Sequence, residues 1–277
     1  ICYFIIIKIY NRLLKKYDMN DEFLQYPEYP LNGRFQLIYN WIPNRTKRLL
    51  DGGCSWGYTT KFFKNKCSET YGVDPNLKFI KIAKKRYSKI KFKKSGMEKL
   101  PFKSNFFNVV VLADVLEHVD NEEQTLNEIF RVLKPNGKFI LTVPHKGLFQ
   151  FLDSDNIIYF IRTRLSQVYI KIYKFRKGKE PVINPGYNHL HRHYSLLDIQ
   201  NLLNNSKFKN KYRINKIYRS ELLMTPILSN LDLLLSYFLG KRLARQILSP
   251  IQILTVIDYN ISYGSFSYNL AIDISKQ

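Results

Sequence analysis

The chain of 277 residues has only three cysteines, Cys2, Cys54 and Cys67, and no CxxC pair. That spacing supports neither a disulfide framework nor a structural zinc cluster, and it suits a reducing compartment. No metal is expected. Acidic side chains are scarce: 22 Asp and Glu face 44 Lys and Arg, for a formal charge of +22. Such an excess attracts nucleic acid, anionic membrane surface or acidic substrates. The basic residues are scattered, as at Lys81, Lys84, Lys85, Lys91, Lys93 and Lys94, with no arginine-rich tract. A general drift towards Lys, Asn, Ile, Tyr and Phe therefore competes with a functional basic surface. Long apolar runs are missing too, and no stretch reaches the roughly 20 residues of a membrane span. Residues 1–7 are apolar and are followed by Lys8, Arg12, Lys15 and Lys16, the reverse of a secretory signal. Met19 reads as a natural start. Residues 1–18 are then expected to be a translated upstream leader or a fragment edge, with a short basic amphipathic membrane contact as the functional alternative. A cytoplasmic location is expected, with peripheral contact to the inner membrane face as an option.

What is present is an alternation of strand-like and helix-like segments from Arg48 onward. RLLD is a short apolar strand ending in a glycine turn, and residues 57–66 read as a helix. Residues 68–74 read as the next strand. Residues 76–87 place Leu77, Ile80 and Ile82 or Ala83 on one helical face. FFNVVVLAD, residues 106–114, is almost continuously apolar, as strands buried on both faces of a parallel sheet are. A helix over 121–133 stops at Lys134-Pro135-Asn136-Gly137, and KFILTVP, residues 138–144, is another buried strand. Ser195 with Asp198 resembles a capping box opening a helix. Residues 212–218 and 265–275 read as strands, and 221–257 as two or three apolar helices. The pattern predicts an α/β fold: a doubly wound, mostly parallel, seven-stranded Rossmann-like sheet with helical insertions. We assign 1–30 as an N-terminal extension and 31–277 as one domain, with insertions 146–193 and 219–262 forming a lid.

Ligands of such sheets bind at the carboxyl ends of the strands. Asp51-Gly52-Gly53-Cys54-Ser55-Trp56-Gly57 lies there, between a strand and a helix. Glycines allow close backbone approach, and a helix N-terminus suits a carboxylate. Asp74 ends the next strand, 23 residues after Asp51. An acid at about that spacing binds ribose hydroxyls in dinucleotide folds.

The run RLLDGGCSWGYTTKFF, YGVDPN, MEKLPF, FFNVVVLADVLEHV and RVLKPNGKFILTVP, spanning residues 48–145, resembles the class I S-adenosylmethionine-dependent methyltransferases. NAD-binding folds share the first two blocks but not the LPF and LEHV blocks. The resemblance implies S-adenosyl-L-methionine as cofactor. Asp51, Gly53, Cys54 and Gly57 would surround its methionine part, with Ser55 standing where the family usually has glycine. Asp74 would bind the ribose, and Pro75 and Asn76 would lie against the adenine edge. Gly96 occupies a place where the family often has an acid, so Met97 and Glu98 would supply the adenine contacts. Asp114 would face the cofactor's amino-acid end.

Methyl transfer from a sulfonium needs alignment and exclusion of water more than a catalytic triad. His118 could act as general base or simply form the pocket wall. HLHRHYS, which resembles an H-x-R-H-Y/F-S segment of the family, holds the acceptor candidates His189, His191, Arg192 and Tyr194, with His193 as a second base candidate. A structural role for His193 and Tyr194 competes, as does a metal site on His189, His191 and His193. The expected acceptor is a small molecule, sugar or lipid-linked group methylated on oxygen, and the expected state is monomer or homodimer. An RNA methyltransferase is an alternative, although Asp114-Val115-Leu116-Glu117 stands where amino-directed enzymes carry an NPPY-type tetrapeptide. A non-catalytic cofactor-binding protein is the third reading.

Overall fold

The computed structural model describes residues 31–167, 170, 171, 174, 190–251 and 253–277. The N-terminal extension and His189 lie outside these residues. In chain order the elements are α1 (Gly33–Trp41), β1 (Thr46–Gly52), α2 (Tyr58–Phe63), β2 (Cys67–Asp74), α3 (Leu77–Arg86), β3 (Lys91–Lys94) and β4 (Phe107–Ala113). They continue with α4 (Glu122–Val132), β5 (Leu133–Pro144), α5 (Ser154–Arg164), α6 (Leu196–Asn204) and β6 (Tyr212–Ser220). Last come α7 (Met224–Leu239), α8 (Lys241–Leu248), α9 (Ile253–Tyr259) and β7 (Asn269–Lys276).

The seven strands form one sheet in the order β3-β2-β1-β4-β5-β7-β6. β1 to β5 pair in parallel, while β7 runs antiparallel between β5 and β6. The order reverses between β1 and β4, which opens a crevice at their carboxyl ends. This is the doubly wound sheet that the alternation predicts.

Successive strand residues point to opposite faces. Leu49, Val109, Val111 and Ile140 pack with Ile38 of α1, with Ile42 just after that helix and with Phe63 of α2 on one face. Leu50, Val110, Leu112, Phe139 and Leu141 pack with Leu126, Ile129 and Val132 of α4 and Ile199 and Leu203 of α6 on the other. Each such side chain contributes about 1.5–3 kcal/mol by leaving water. Both faces are thus covered, which explains the continuous apolar pattern of β4 and β5.

Some expectations need correction. In α3 only Ile80 and Ala83 are buried, whereas Leu77 is exposed at the first turn. The helix after the glycine turn is α-helical only to Phe63 and tightens to 3-10 geometry over Lys64–Lys66. β5 begins at Leu133, before the Pro-Gly turn, because Leu133 pairs with Phe107 ahead of a register shift. The Ser195–Asp198 capping box is present, with both reciprocal bonds formed.

Candidate functional site

The site grows from the end of β1. Gly53, Ser55 and Gly57 adopt φ of 67°, 48° and 84°, the left-handed region. Glycine enters it freely and serine at a cost. A Cβ on Gly53 would lie 2.4 Å from Val115 Cγ2, so this corner has room only for backbone. Gly52 is equally crowded, with Met97 Sδ 2.7 Å from its virtual Cβ. Met97 therefore packs over the glycine corner.

Asp51 is buried beneath the turn and accepts hydrogen bonds from Thr60 Oγ1 at 2.6 Å and Thr59 Oγ1 at 3.2 Å. Burial raises its pKa to about 7, against the lowering effect of those hydroxyls. Cys54 is buried, which raises its thiol pKa and leaves it a small packing group.

Asp74 stands at the tip of β2. Its Oδ2 accepts the Ser55 N–H at 2.9 Å and its Oδ1 accepts the Asn76 N–H at 2.8 Å. Burial raises its pKa, while those two amides work against the shift. A carboxylate offers about four lone-pair sites, so two remain for a vicinal diol. Pro75 and Asn76 are exposed beside it, and Asn76 also caps α3 through the Lys78 N–H. Glu98 turns away, accepting the Asp120 N–H at 3.2 Å. The glycine corner, the diol-sized acid and the Met97 wall fit an adenosyl group with an amino-acid tail.

Asp114 follows β4 with φ 53° and is held by Thr142 Oγ1 at 2.8 Å and by an ion pair with Arg34 of α1. Although burial opposes it, the Arg34 guanidinium pKa is raised by Asp114, Glu221 and Glu117. Glu221 is buried at φ 61° between β6 and α7, and burial raises its pKa. Its Oε2 and the Tyr259 hydroxyl lack hydrogen-bond partners among the described residues. These polar groups ring the crevice next to Asp114.

The histidine segment comes down on the same rim. His191 Nδ1 lies 2.7 Å from Asp153 Oδ2, and His193 Nε2 lies 3.2 Å from the same oxygen. The His118 ring, exposed at one edge, stacks on His191 with centroids 4.8 Å apart. Burial would lower the His191 pKa, but Asp153 and Glu117 outweigh it and raise it to about 10. Burial and the neighbouring His191 lower that of His118. Burial would likewise raise Asp153, yet the two imidazoles hold it well below the usual carboxylate range. Of the two base candidates, the structure lowers the affinity of His118 for protons and gives His193 to Asp153.

Arg192 and Tyr194 reach the opposite way, into the 116–122 turn. Arg192 donates to the carbonyls of Glu117 and Val119, and the Tyr194 hydroxyl donates to Glu122 and to Leu116 O. They border a cavity of about 420 Å³ with Glu122, Lys146 and Asp198, on the α6 side. The sequence reading missed Arg34, Glu117, Asp153 and Glu221. Asp153 carried only a local signal, as the N-cap of α5.

Strand order, the glycine corner after β1 and an acid at the tip of the second strand are those of the class I methyltransferase fold. Residues 50–141 match the family described as methyltransferase domain. These residues form a class I S-adenosylmethionine-dependent methyltransferase domain, whose cofactor is S-adenosyl-L-methionine. The chain is similar to the ubiquinone/menaquinone biosynthesis C-methyltransferase UbiE of Wigglesworthia glossinidia brevipalpis, at 29% identity over 54% of this chain. That match spans 64% of the relative, less than two thirds of its length. The UbiE of Photorhabdus laumondii is 23% identical over 60% of this chain and 70% of its own. Among solved structures, the YcgJ protein of Bacillus subtilis shares the fold, with TM-score 0.52 and 18% identity over 88% of this chain and 97% of its own.

Proposed function

We propose that this protein transfers the methyl group of S-adenosylmethionine to an oxygen of an apolar, lipid-linked or small aromatic acceptor that reaches the crevice from a membrane surface. The observation that carries the reading is where the exposed apolar side chains lie. Among the described residues, eighteen of the 22 large ones fall within residues 148–165, 190 and 231–261, the two insertions above the crevice. Leu234 and Phe238 of α7 are 52% and 65% exposed. Soluble proteins rarely leave so much apolar surface together unless it meets a partner, ligand or membrane. The two insertions touch through Asn230 Nδ2, which donates to Leu152 O at 2.6 Å, so they form one cover. A chain of net charge +22 favours an anionic surface. Among the described residues no helix is long and apolar enough to cross a membrane, which leaves a surface contact.

In this reading the glycine corner and Asp74 fix the donor, and the apolar cover excludes water and aligns the acceptor for in-line displacement. Asp114 and Arg34 shape the space next to the methyl-donor end. Transfer to carbon is the second reading, supported by the similarity to the UbiE C-methyltransferases. The test is incubation with methyl-labelled S-adenosylmethionine and membrane-lipid, glycan and soluble extracts, with Asp74→Ala as control. A labelled lipid-phase product absent with the variant is expected, and its fragmentation assigns the atom. Label confined to soluble polar products or RNA would overturn the reading.

A further inference from the structure

The acid–imidazole cluster on the crevice rim is built like a metal site. Glu117 is 2% exposed, yet among the described residues neither of its carboxylate oxygens has a hydrogen-bond partner. His191 Nε2 is buried and likewise has none among the described residues. The two face each other across 3.5 Å, too long for a hydrogen bond. Buried polar groups are nearly always satisfied, so two that face without touching call for a third body. Two ligands about 2.1 Å from one tetrahedral cation stand about 3.4 Å apart. His118 brings a ring nitrogen to the same place, and ligand atoms of Glu117, His118 and His191 all lie within 4.8 Å of one another. Behind them, Asp153 Oδ2 holds His191 Nδ1 at 2.7 Å. A carboxylate on the far nitrogen is how proteins orient a metal-binding imidazole.

We propose that Glu117, His118 and His191 bind one divalent cation of the zinc type, with Asp153 as the positioning residue behind His191. Two imidazoles and one carboxylate are a ligand set of catalytic zinc, which keeps a fourth position open. Glu117 lies three residues after Asp114, so that position borders the methyl-donor end of the crevice. Its natural occupant is an acceptor hydroxyl, which a bound cation would hold as its more nucleophilic anion, the proton passing to solvent. The purpose of the site rests on the oxygen acceptor proposed above; its existence does not.

The experiment uses untagged full-length protein. Zinc content after dialysis against Zn²⁺ is measured by mass spectrometry and affinity by chelator competition, while S-adenosylhomocysteine calorimetry reports the fold. One zinc per chain is expected. Glu117→Gln and His191→Ala should each weaken zinc at least 100-fold, and Asp153→Asn about 10- to 100-fold, all with S-adenosylhomocysteine affinity retained. If a buried variant fails to bind S-adenosylhomocysteine, the exposed His118→Ala replaces it with the same expectation. Absence of zinc binding, or binding that these variants leave unchanged, would overturn the site in favour of a metal-free imidazolium bridging two carboxylates. Zinc bound without methyl transfer to an oxygen acceptor would keep the site and remove its role in the reaction; transfer by metal-free protein would also remove that role, while leaving the oxygen-acceptor reading in place.

Discussion

Replacing Asp74 by Asn tests the cofactor cradle most directly. The change keeps size and shape but removes the charge and one acceptor oxygen. Oδ1 and Oδ2 already accept the Asn76 and Ser55 amides, at 2.8 and 2.9 Å. A bound ribose diol would donate to the two remaining lone-pair sites. Hydrogen bonds to a charged group contribute about 1.5–3 kcal/mol each, so the pair amounts to about 3–6 kcal/mol. At about 1.4 kcal/mol per decade, that is a loss of roughly 100- to 10,000-fold in affinity. The amide of Asn would also face one of the two backbone N–H donors, which displaces the Ser55 turn and pushes the loss up. Calorimetric titration with S-adenosylhomocysteine measures it, with thermal unfolding as the check on folding. Because burial raises the Asp74 pKa, wild-type affinity should begin to fall at a higher pH than an exposed aspartate would give. A folded Asp74→Asn protein that binds within threefold of wild type would refute the assignment.

Other outcomes follow from the same geometry. Gly53→Ala should abolish measurable S-adenosylhomocysteine binding and lower stability by about 1–3 kcal/mol, because its Cβ meets Val115 and its φ is positive; urea denaturation reads the second effect. Asp51 has a folded-state pKa of about 7, raised by burial above the unfolded value near 4. Its stabilising share is therefore full below about pH 4 and lost as pH rises through 7, an upper bound of about 4 kcal/mol. Ligand-free Asp51→Asn should gain on wild type across that window, and parallel denaturation curves at all pH values would contradict this. Lys276→Met should cost about 2–5 kcal/mol, since its buried ammonium donates to Phe130 O, Leu133 O and Asn105 Oδ1 and leaves those acceptors unpaired. Leu234→Ser with Phe238→Ser should release the protein from vesicles containing anionic phospholipid in a flotation assay, while binding of S-adenosylhomocysteine is kept; unchanged flotation would count against a membrane-facing cover.

The parts of the molecule that were legible in the sequence are those where one physical cause acts alone. β4 and β5 are buried on both faces, so FNVVVLA and KFILTVP announce themselves. The corner at Gly53 and Gly57 needs left-handed backbone, and Asp74 ends the second strand as the alternation predicts. β3 escaped notice because LysPheLysLys buries only Phe92 at the sheet edge. Helix α1 escaped because its single fully interior residue, Ile38, gives little amphipathic pattern. The rim cluster was out of reach for a different reason. Asp153 and His191 are 38 residues apart and meet only because the insertion folds back over the sheet. Spacing within HLHRHYS left acceptor, structural and metal roles open, and the structure sends His191 and His193 to Asp153, and Arg192 and Tyr194 towards the 116–122 turn.

The pairing of β6 with β7 has one further consequence. Ser220 sits opposite Asn269, so the two ends of the intervening segment are neighbours on adjacent antiparallel strands. Whatever is inserted there begins and finishes at a single doorway, and the sheet does not register its length or composition. In the proposed reading, the α7–α9 half of the apolar cover can therefore change between homologues while the crevice at the ends of β1 and β4 stays untouched.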